Sequence, residues 1–189
     1  KQKNCEVTGI SLSKNQIDYC IKKSKDLNLS NQAHFELKDY RKINGKFDKI
    51  YSVGMFEHVG KKFYKTFFKS MNKLLKENGT FLLHTIGVVD KPTAPNKFIN
   101  KYIFPGGTCP SFSEVIKPIE KTGLIVADTE TLIRHYDKTL ESWLERFMSK
   151  KELVKDLFDE KFVKMWEFYL SSTAAAFRYR DLVVFQLQI

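Results

Sequence analysis

The sequence predicts an α/β fold on a mostly parallel sheet covered by helices on both faces. Two observations predict it. Short apolar runs alternate with stretches of helical periodicity along the whole chain. Two of those runs lead into Ser52-Val53-Gly54-Met55-Phe56-Glu57-His58-Val59-Gly60 and Leu82-Leu83-His84-Thr85-Ile86-Gly87. Each ends in polar and glycine residues, as buried parallel strands do before opening into a loop. A carboxylate and an imidazole therefore fall beyond the carboxyl ends of strands, where such sheets bind ligands. A catalytic pocket is the expectation.

Taken in order, residues 5–10 form a first short strand. Ser13 offers an N-cap for a helix from residue 14 to about 27, with Ile17, Cys20 and Ile21 on one face. Residues 33–37 read as a second strand. Residues 47–53 form a third, entered from the Asn44-Gly45 turn. Phe63, Phe67, Met71, Leu74 and Leu75 recur at helical spacing over residues 61–75, with Asn78-Gly79 as the stop signal. Residues 80–85 make the fourth strand. Four prolines and Gly106-Gly107 break the alternation over residues 88–110, which reads as an insertion over the pocket mouth, where loops carry specificity. A helix follows from Ser113 to near Gly123, then a strand over 124–132. Residues 140–147 and 162–177 are helical, the latter with Phe162, Trp166, Leu170, Thr173 and Phe177 on one stripe. Residues 182–189 close the chain as an apolar strand.

Length and composition fit one domain of 189 residues with a sizeable core, and 42% hydrophobic content argues against disorder. No apolar stretch is long enough to span a bilayer, and no export signal is visible at the start. Cys5, Cys20 and Cys109 stand far apart without a CxxC pair, so reduced thiols in an intracellular protein are expected. The net charge is +10, yet only five of the 32 basic residues are arginine. Lysine gives diffuse attraction to anionic surfaces rather than the forked contacts of base readout. An anionic membrane surface suits this chain at least as well as nucleic acid, and a solvated lysine-rich face would look the same.

Read alone, the pocket residues stay ambiguous. Glu57 could be a charged loop edge, His84 a satisfied core histidine, and Tyr136 a core or rim residue. The nine glycines form neither G-x-G-x-x-G nor a P-loop. The chain reads as if it starts one strand-loop-helix unit late.

The blocks Val7-Thr8-Gly9-Ile10-Ser11-Leu12-Ser13-Lys14-Asn15-Gln16, those around Glu57 and His84, Ile103-Phe104-Pro105-Gly106-Gly107 and Tyr136-Asp137-Lys138-Thr139-Leu140 occur in order, followed by Ala176-Phe177-Arg178. This series resembles cyclopropane-fatty-acyl-phospholipid synthases and the similar mycolic acid cyclopropane synthases. The resemblance implies a Rossmann-like fold of the S-adenosylmethionine-dependent methyltransferase type, a seven-stranded sheet with an antiparallel last strand. The chain matches from the second strand onward, as a single catalytic domain over residues 1–189 without the first strand and glycine-rich loop. The missing strand would lie at the sheet centre, leaving ladder groups of two neighbours unpaired. This chain alone is therefore expected to be inactive.

The implied reaction moves a methylene group from S-adenosylmethionine to the cis double bond of an unsaturated phospholipid acyl chain, with bound bicarbonate as base. Glu57, His84, Ile86 (through its backbone N–H) and Tyr136 match the bicarbonate-holding residues. Glu57 would accept from the bicarbonate hydroxyl; the other three would donate. His58 would support the loop. Ser11, Leu12, Ser13 and Gln16 match the cofactor contacts at the turn into the first helix, where Ser13 could equally be a simple cap. Asp39 and Tyr40 match the adenine-flanking position, where a surface turn is the alternative. Many relatives carry cysteine where Thr173 stands, and threonine is no soft nucleophile, so a core-facing place near the substrate is expected for it. The resemblance further implies a cytoplasmic enzyme, peripheral at the inner membrane surface, with no metal and no nucleic-acid partner; a homodimer is compatible with it. The alternatives are another S-adenosylmethionine-dependent lipid or small-molecule methyltransferase, or an inactive fragment of one.

Overall fold

The computed structural model describes residues 5–92, 94, 96–179 and 181–189. Thr93 and Pro95, inside the expected insertion, and the first four residues lie outside the described set. The chain divides into two compact units, one ending at Lys46 and one spanning Phe47–Ile189.

In the first unit, strand β1 (Val7–Ser11) pairs in parallel with β2 (Ala33–Leu37) around helix α1 (Lys14–Asp26). Ser13 caps α1 through its hydroxyl, which accepts from the Gln16 N–H. The helix ends where Asn28 enters the left-handed region at φ 55°, with Leu29 N–H donating to Ser24 C=O and Asn28 N–H to Lys25 C=O. Those bonds satisfy carbonyls that the helix end would otherwise orphan.

The second unit holds a four-stranded sheet in the order β3-β4-β6-β5: β3 (Phe47–Val53), β4 (Leu75–Val88), β5 (Asp128–Leu132) and β6 (Leu182–Gln188). β3 and β4 are parallel, and β6 runs antiparallel to both β4 and β5. The last strand is antiparallel, as expected. The helices are α2 (Tyr64–Leu74), α3 (Lys97–Tyr102), α4 (Phe112–Glu120), α5 (His135–Met148), α6 (Lys151–Leu157) and α7 (Glu160–Arg178).

Several boundaries move, each for a local reason. Helix α2 ends at Leu74 because Leu75 is already extended, at φ −74° and ψ 142°, and opens β4. Asn78-Gly79 thus lies inside β4, not at a helix stop. The register passes from Phe47↔Leu75 to Lys49↔Thr80, so β4 carries extra residues there. Gly79 fits because a Cβ would sit 3.1 Å from the Phe47 carbonyl oxygen. Phe63 belongs to a separate 3-10 turn and is exposed, while Tyr64 and Phe68 join the buried face. Helix α4 starts earlier than Ser113, because Ser111 and Glu114 form a capping box. The strand expected over 124–132 pairs only from Asp128, and α3 and α6 are helices that the periodicity did not reveal.

Two apolar layers flank this sheet. On one face Phe81 and Leu83 are fully buried, with Phe81 packed against Phe67 and Phe68 of α2. On the other, Leu140, Tyr169, Leu170, Ala174, Phe177 and Val184 form a cluster on which Ile86 and Tyr136 pack. The period-two alternation of β4 therefore sends His84 and Ile86 to the second layer.

Candidate active site

Glu57 is held by its neighbour. Phe56 is fully buried, stacked on Tyr64 at 4.2 Å between ring centroids and tilted against Phe67 and Phe68. That anchor fixes a one-turn 3-10 helix, Phe56–His58, directly after β3. Gly54 lets the chain leave the strand at φ +64°, a conformation that side-chain-bearing residues rarely adopt, and its N–H donates to the His84 carbonyl. The Glu57 carbonyl accepts from Thr108 N–H at 2.9 Å, tying the turn to the loop before α4.

The Glu57 carboxylate is then split between two fates. Its Oε1 accepts from the Ile86 N–H at 2.7 Å. Its Oε2 is buried and has no hydrogen-bond partner among the described residues. A buried carboxylate oxygen without a donor is costly, so this atom marks a place for one. The charge of Glu57 also reaches its surroundings. Burial, and then that charge, raises the Tyr136 hydroxyl above its ordinary pKa. The same two causes push the Cys109 thiol to about 11. Both groups, protonated at neutral pH at their ordinary values, therefore stay protonated to higher pH.

His84 lies two residues before Ile86 on the same face of β4, half-buried. Its Nδ1 is 3.2 Å from Gln186 Oε1, and Gln186 Nε2 donates to Glu130 Oε2 at 3.1 Å. Tyr136 packs against Phe177 at 5.1 Å and Trp143 at 6.0 Å. Beside it Tyr169, pushed to about 12 by burial and then by Tyr136, meets Phe104 and Trp166. The next residue, Asp137, is buried and receives two hydrogen bonds from Arg178, which also reaches Glu141. His58 packs edge-on to Phe104. Thr173 is half-buried, adjacent to the buried Ala174.

The structure thus joins Glu57 to Ile86 directly and to Tyr136 electrostatically. The Ile86 N–H, expected to face a ligand, donates to Glu57 instead. Sequence reasoning missed Gln186, Glu130, Cys109 and the Asp137–Arg178 pair. Only the pairing register and helix packing bring them in.

In the first unit, Ser11 Oγ donates to Gln16 Oε1 at 2.7 Å and accepts from Ser13 N–H. Ser11 and Gln16 line an open hollow of about 410 Å³ with Gly9, Ile10, Asn15 and Phe35. Leu12 is exposed. Asp39 caps a 3-10 turn, Tyr40–Lys42, and its hydrogen bonds with Arg41 hold its carboxyl at about 2. Tyr40 is half-buried, and its hydroxyl is raised by that burial. No group of three or more metal-ligating side chains occurs among the described residues.

The fold is the Rossmann-like α/β fold of S-adenosylmethionine-dependent methyltransferases. The family model for mycolic acid cyclopropane synthetase matches residues 1–187. The chain belongs to that family. It is 38% identical to the cyclopropane-fatty-acyl-phospholipid synthase of Escherichia coli strain K12 over 181 residues, 96% of this chain and 46% of that protein. The cyclopropane synthase MmaA2 from Mycobacterium tuberculosis superposes with a TM-score of 0.92 at 30% identity, covering 99% of this chain and 70% of that one. Mycolic acid cyclopropane synthase CmaA1, solved with SAH and CTAB, gives 0.91 at 29% identity with the same two coverages. The chain therefore spans about half the length of the curated relatives that it matches.

Proposed function

We propose that this chain is the catalytic part of an enzyme that transfers a methylene group from S-adenosylmethionine to the cis double bond of an unsaturated phospholipid acyl chain, forming a cyclopropane ring. The single observation that carries the site's part in this is the unpartnered, buried Glu57 Oε2, with the Ile86 N–H fixing the other oxygen.

The chemistry needs three things. The sulfonium methyl carbon bonds to an alkene carbon while S-adenosylhomocysteine leaves. The resulting carbocation must be tolerated, and one methyl proton must depart as the ring closes. A bound bicarbonate would supply the acceptor for that proton. Glu57 Oε2 would hold its hydroxyl, turning an anion–anion clash into a charge-assisted hydrogen bond. The Tyr136 O–H, protonated at neutral pH, is a donor to an anionic oxygen. The aromatic faces of Tyr136, Tyr169, Phe104 and Trp166 suit transient positive charge. For the cofactor, the hollow at Ser11 and Gln16 falls within the usual size of ligand pockets, about 300–1,000 Å³. The hydroxyl and amide there can bind ribose oxygens, and Tyr40 offers a stacking face.

The substrate side rests on charge. A lysine-rich excess of +10 favours an anionic lipid surface, so the enzyme would work as a peripheral protein at the inner membrane face. Among the described residues no helix is long and apolar enough to cross a membrane.

The test is product mass. The full product of the gene, incubated with S-adenosylmethionine and unsaturated phospholipid vesicles that include anionic phospholipid, should add one CH2 and remove one double bond per product chain. Glu57→Gln should lower turnover by about 10²–10⁴. Methyl-branched lipids would favour another lipid methyltransferase of the same fold. No modified lipid at all would overturn the reading.

A further inference from the structure

Three polar side chains stand in one row across three strands. His84 of β4 lies directly opposite Gln186 of β6, and Gln186 lies directly opposite Glu130 of β5. Gln186 bridges the other two, at 3.2 Å to His84 Nδ1 and 3.1 Å to Glu130 Oε2. The chemistry of the row fixes a proton.

A carboxylate only accepts hydrogen bonds, so the Gln186 NH2 must face Glu130. Turning the amide over would set its oxygen against the carboxylate oxygens, acceptor against acceptor. The amide oxygen is therefore left facing His84 Nδ1, and an oxygen cannot donate. Nδ1 must carry the hydrogen. In neutral His84 the lone pair is then on Nε2. Free imidazole side chains in water favour the opposite arrangement, with the hydrogen on Nε2, so the row reverses the intrinsic preference.

We propose that Gln186 and Glu130 are positioning residues that hold neutral His84 in the Nδ1–H tautomer, so that Nε2 is an acceptor. His84 shares its strand face with Ile86, whose N–H orients Glu57. In the reaction proposed above, on which this part rests, the Nε2 of neutral His84 would hold or collect a proton rather than donate one. A donor role would require the imidazolium. The outer end of the row is exposed: Glu130 lies on an edge strand of its sheet, with solvent beside it. The inner end is half-buried, so the direction of the hydrogen bonds is set from the surface inward.

The experiment reads the tautomer itself, without cofactor or lipid. Two-bond 1H–15N spectra of the 15N-labelled full product of the gene distinguish protonated from unprotonated ring nitrogens, and His84→Asn assigns the His84 signals. Above about pH 8, where ordinary imidazoles are neutral, His84 should show protonated Nδ1 and unprotonated Nε2. Gln186→Leu should shift the ring toward the Nε2–H form. Glu130→Gln, at an exposed strand position that leaves the fold intact, should give a mixture, because the Gln186 amide can then turn either way. An Nε2–H ring in the unsubstituted protein overturns the proposal. So does an unchanged Nδ1–H ring in Glu130→Gln, which decides the matter even if Gln186→Leu fails to fold. The outcome is independent of lipid products: an enzyme that makes no cyclopropane can still show the tautomer, and the reverse.

Discussion

At the scale of single residues, the charge of Glu57 is the organising feature. It acts on Tyr136 and on Cys109, while its carboxylate accepts from the Ile86 N–H and its backbone carbonyl from the Thr108 N–H. Burial is the larger cause of the raised Cys109 value and the Glu57 charge the smaller. The thiol should therefore resist alkylation at neutral pH and react as pH approaches about 11, the exposed Cys5 being modified first. Glu57→Gln removes a nearby negative charge, which eases thiolate formation. The midpoint of Cys109 alkylation, followed by peptide mass spectrometry against pH, should then fall while staying above the ordinary thiol value. An unmoved midpoint would show that Glu57 and Cys109 are not electrostatically coupled. Glu57 and His84 were legible in the sequence because each follows an apolar run punctuated by glycine. Cys109 was not, since a lone cysteine after a proline-broken segment carries no periodic signal.

Elements are held together by a few connections whose removal has calculable consequences. Arg178, at the end of α7, makes two hydrogen bonds to the buried Asp137 in the first turn of α5, at 3.0 and 2.9 Å. Arg178→Met strands that carboxylate and should cost about 1–3 kcal/mol in urea unfolding. Adding Asp137→Asn should recover part of the loss, because a buried amide is cheaper than a buried charge. Full additivity of the two changes would contradict the pairing. On β4, a Cβ at Gly87 would clash with the Phe185 ring and lie 2.7 Å from the Pro110 carbonyl oxygen. Gly87→Ala should therefore destabilise by about 1–3 kcal/mol through overpacking, seen as a lower thermal midpoint. Strands β2, β3 and β6 and helix α1 were readable because their patterns are clean and their caps local. Helix α6 was not: seven residues rich in charge give too little periodicity to separate from loop. The early start of β4 depended on pairing with Phe47, which is a tertiary event.

For the whole molecule, the decisive property is the lysine excess. A net charge of +10 with few arginines predicts diffuse, salt-sensitive attraction to anionic surfaces. Sedimentation with vesicles containing anionic phospholipid should exceed that with neutral phosphatidylcholine. It should weaken as salt rises from about 0.1 to 1 M, where screening shortens from about 10 to 3 Å. Equal binding to both vesicle types would remove charge as the source of membrane attraction. The strands described form two sheets, β1-β2 in the first unit and β3-β4-β6-β5 in the second.

By itself the sequence determined the alternation of strands and helices through local periodicity, and the family through its ordered motifs; the antiparallel final strand was implied by the family resemblance. The sequence also placed Glu57, His84 and Tyr136 among the candidates. Only the tertiary structure decided how they connect. Ile86 was expected to serve a ligand, yet its N–H is spent on Glu57, 29 residues away. The proton on His84 depends on Gln186, 102 residues along the chain, and on Glu130 beyond it. The reason is physical: a hydrogen-bond direction is set by which acceptor faces which donor across a ladder. That register is fixed when strands pair, not by any pattern within one of them.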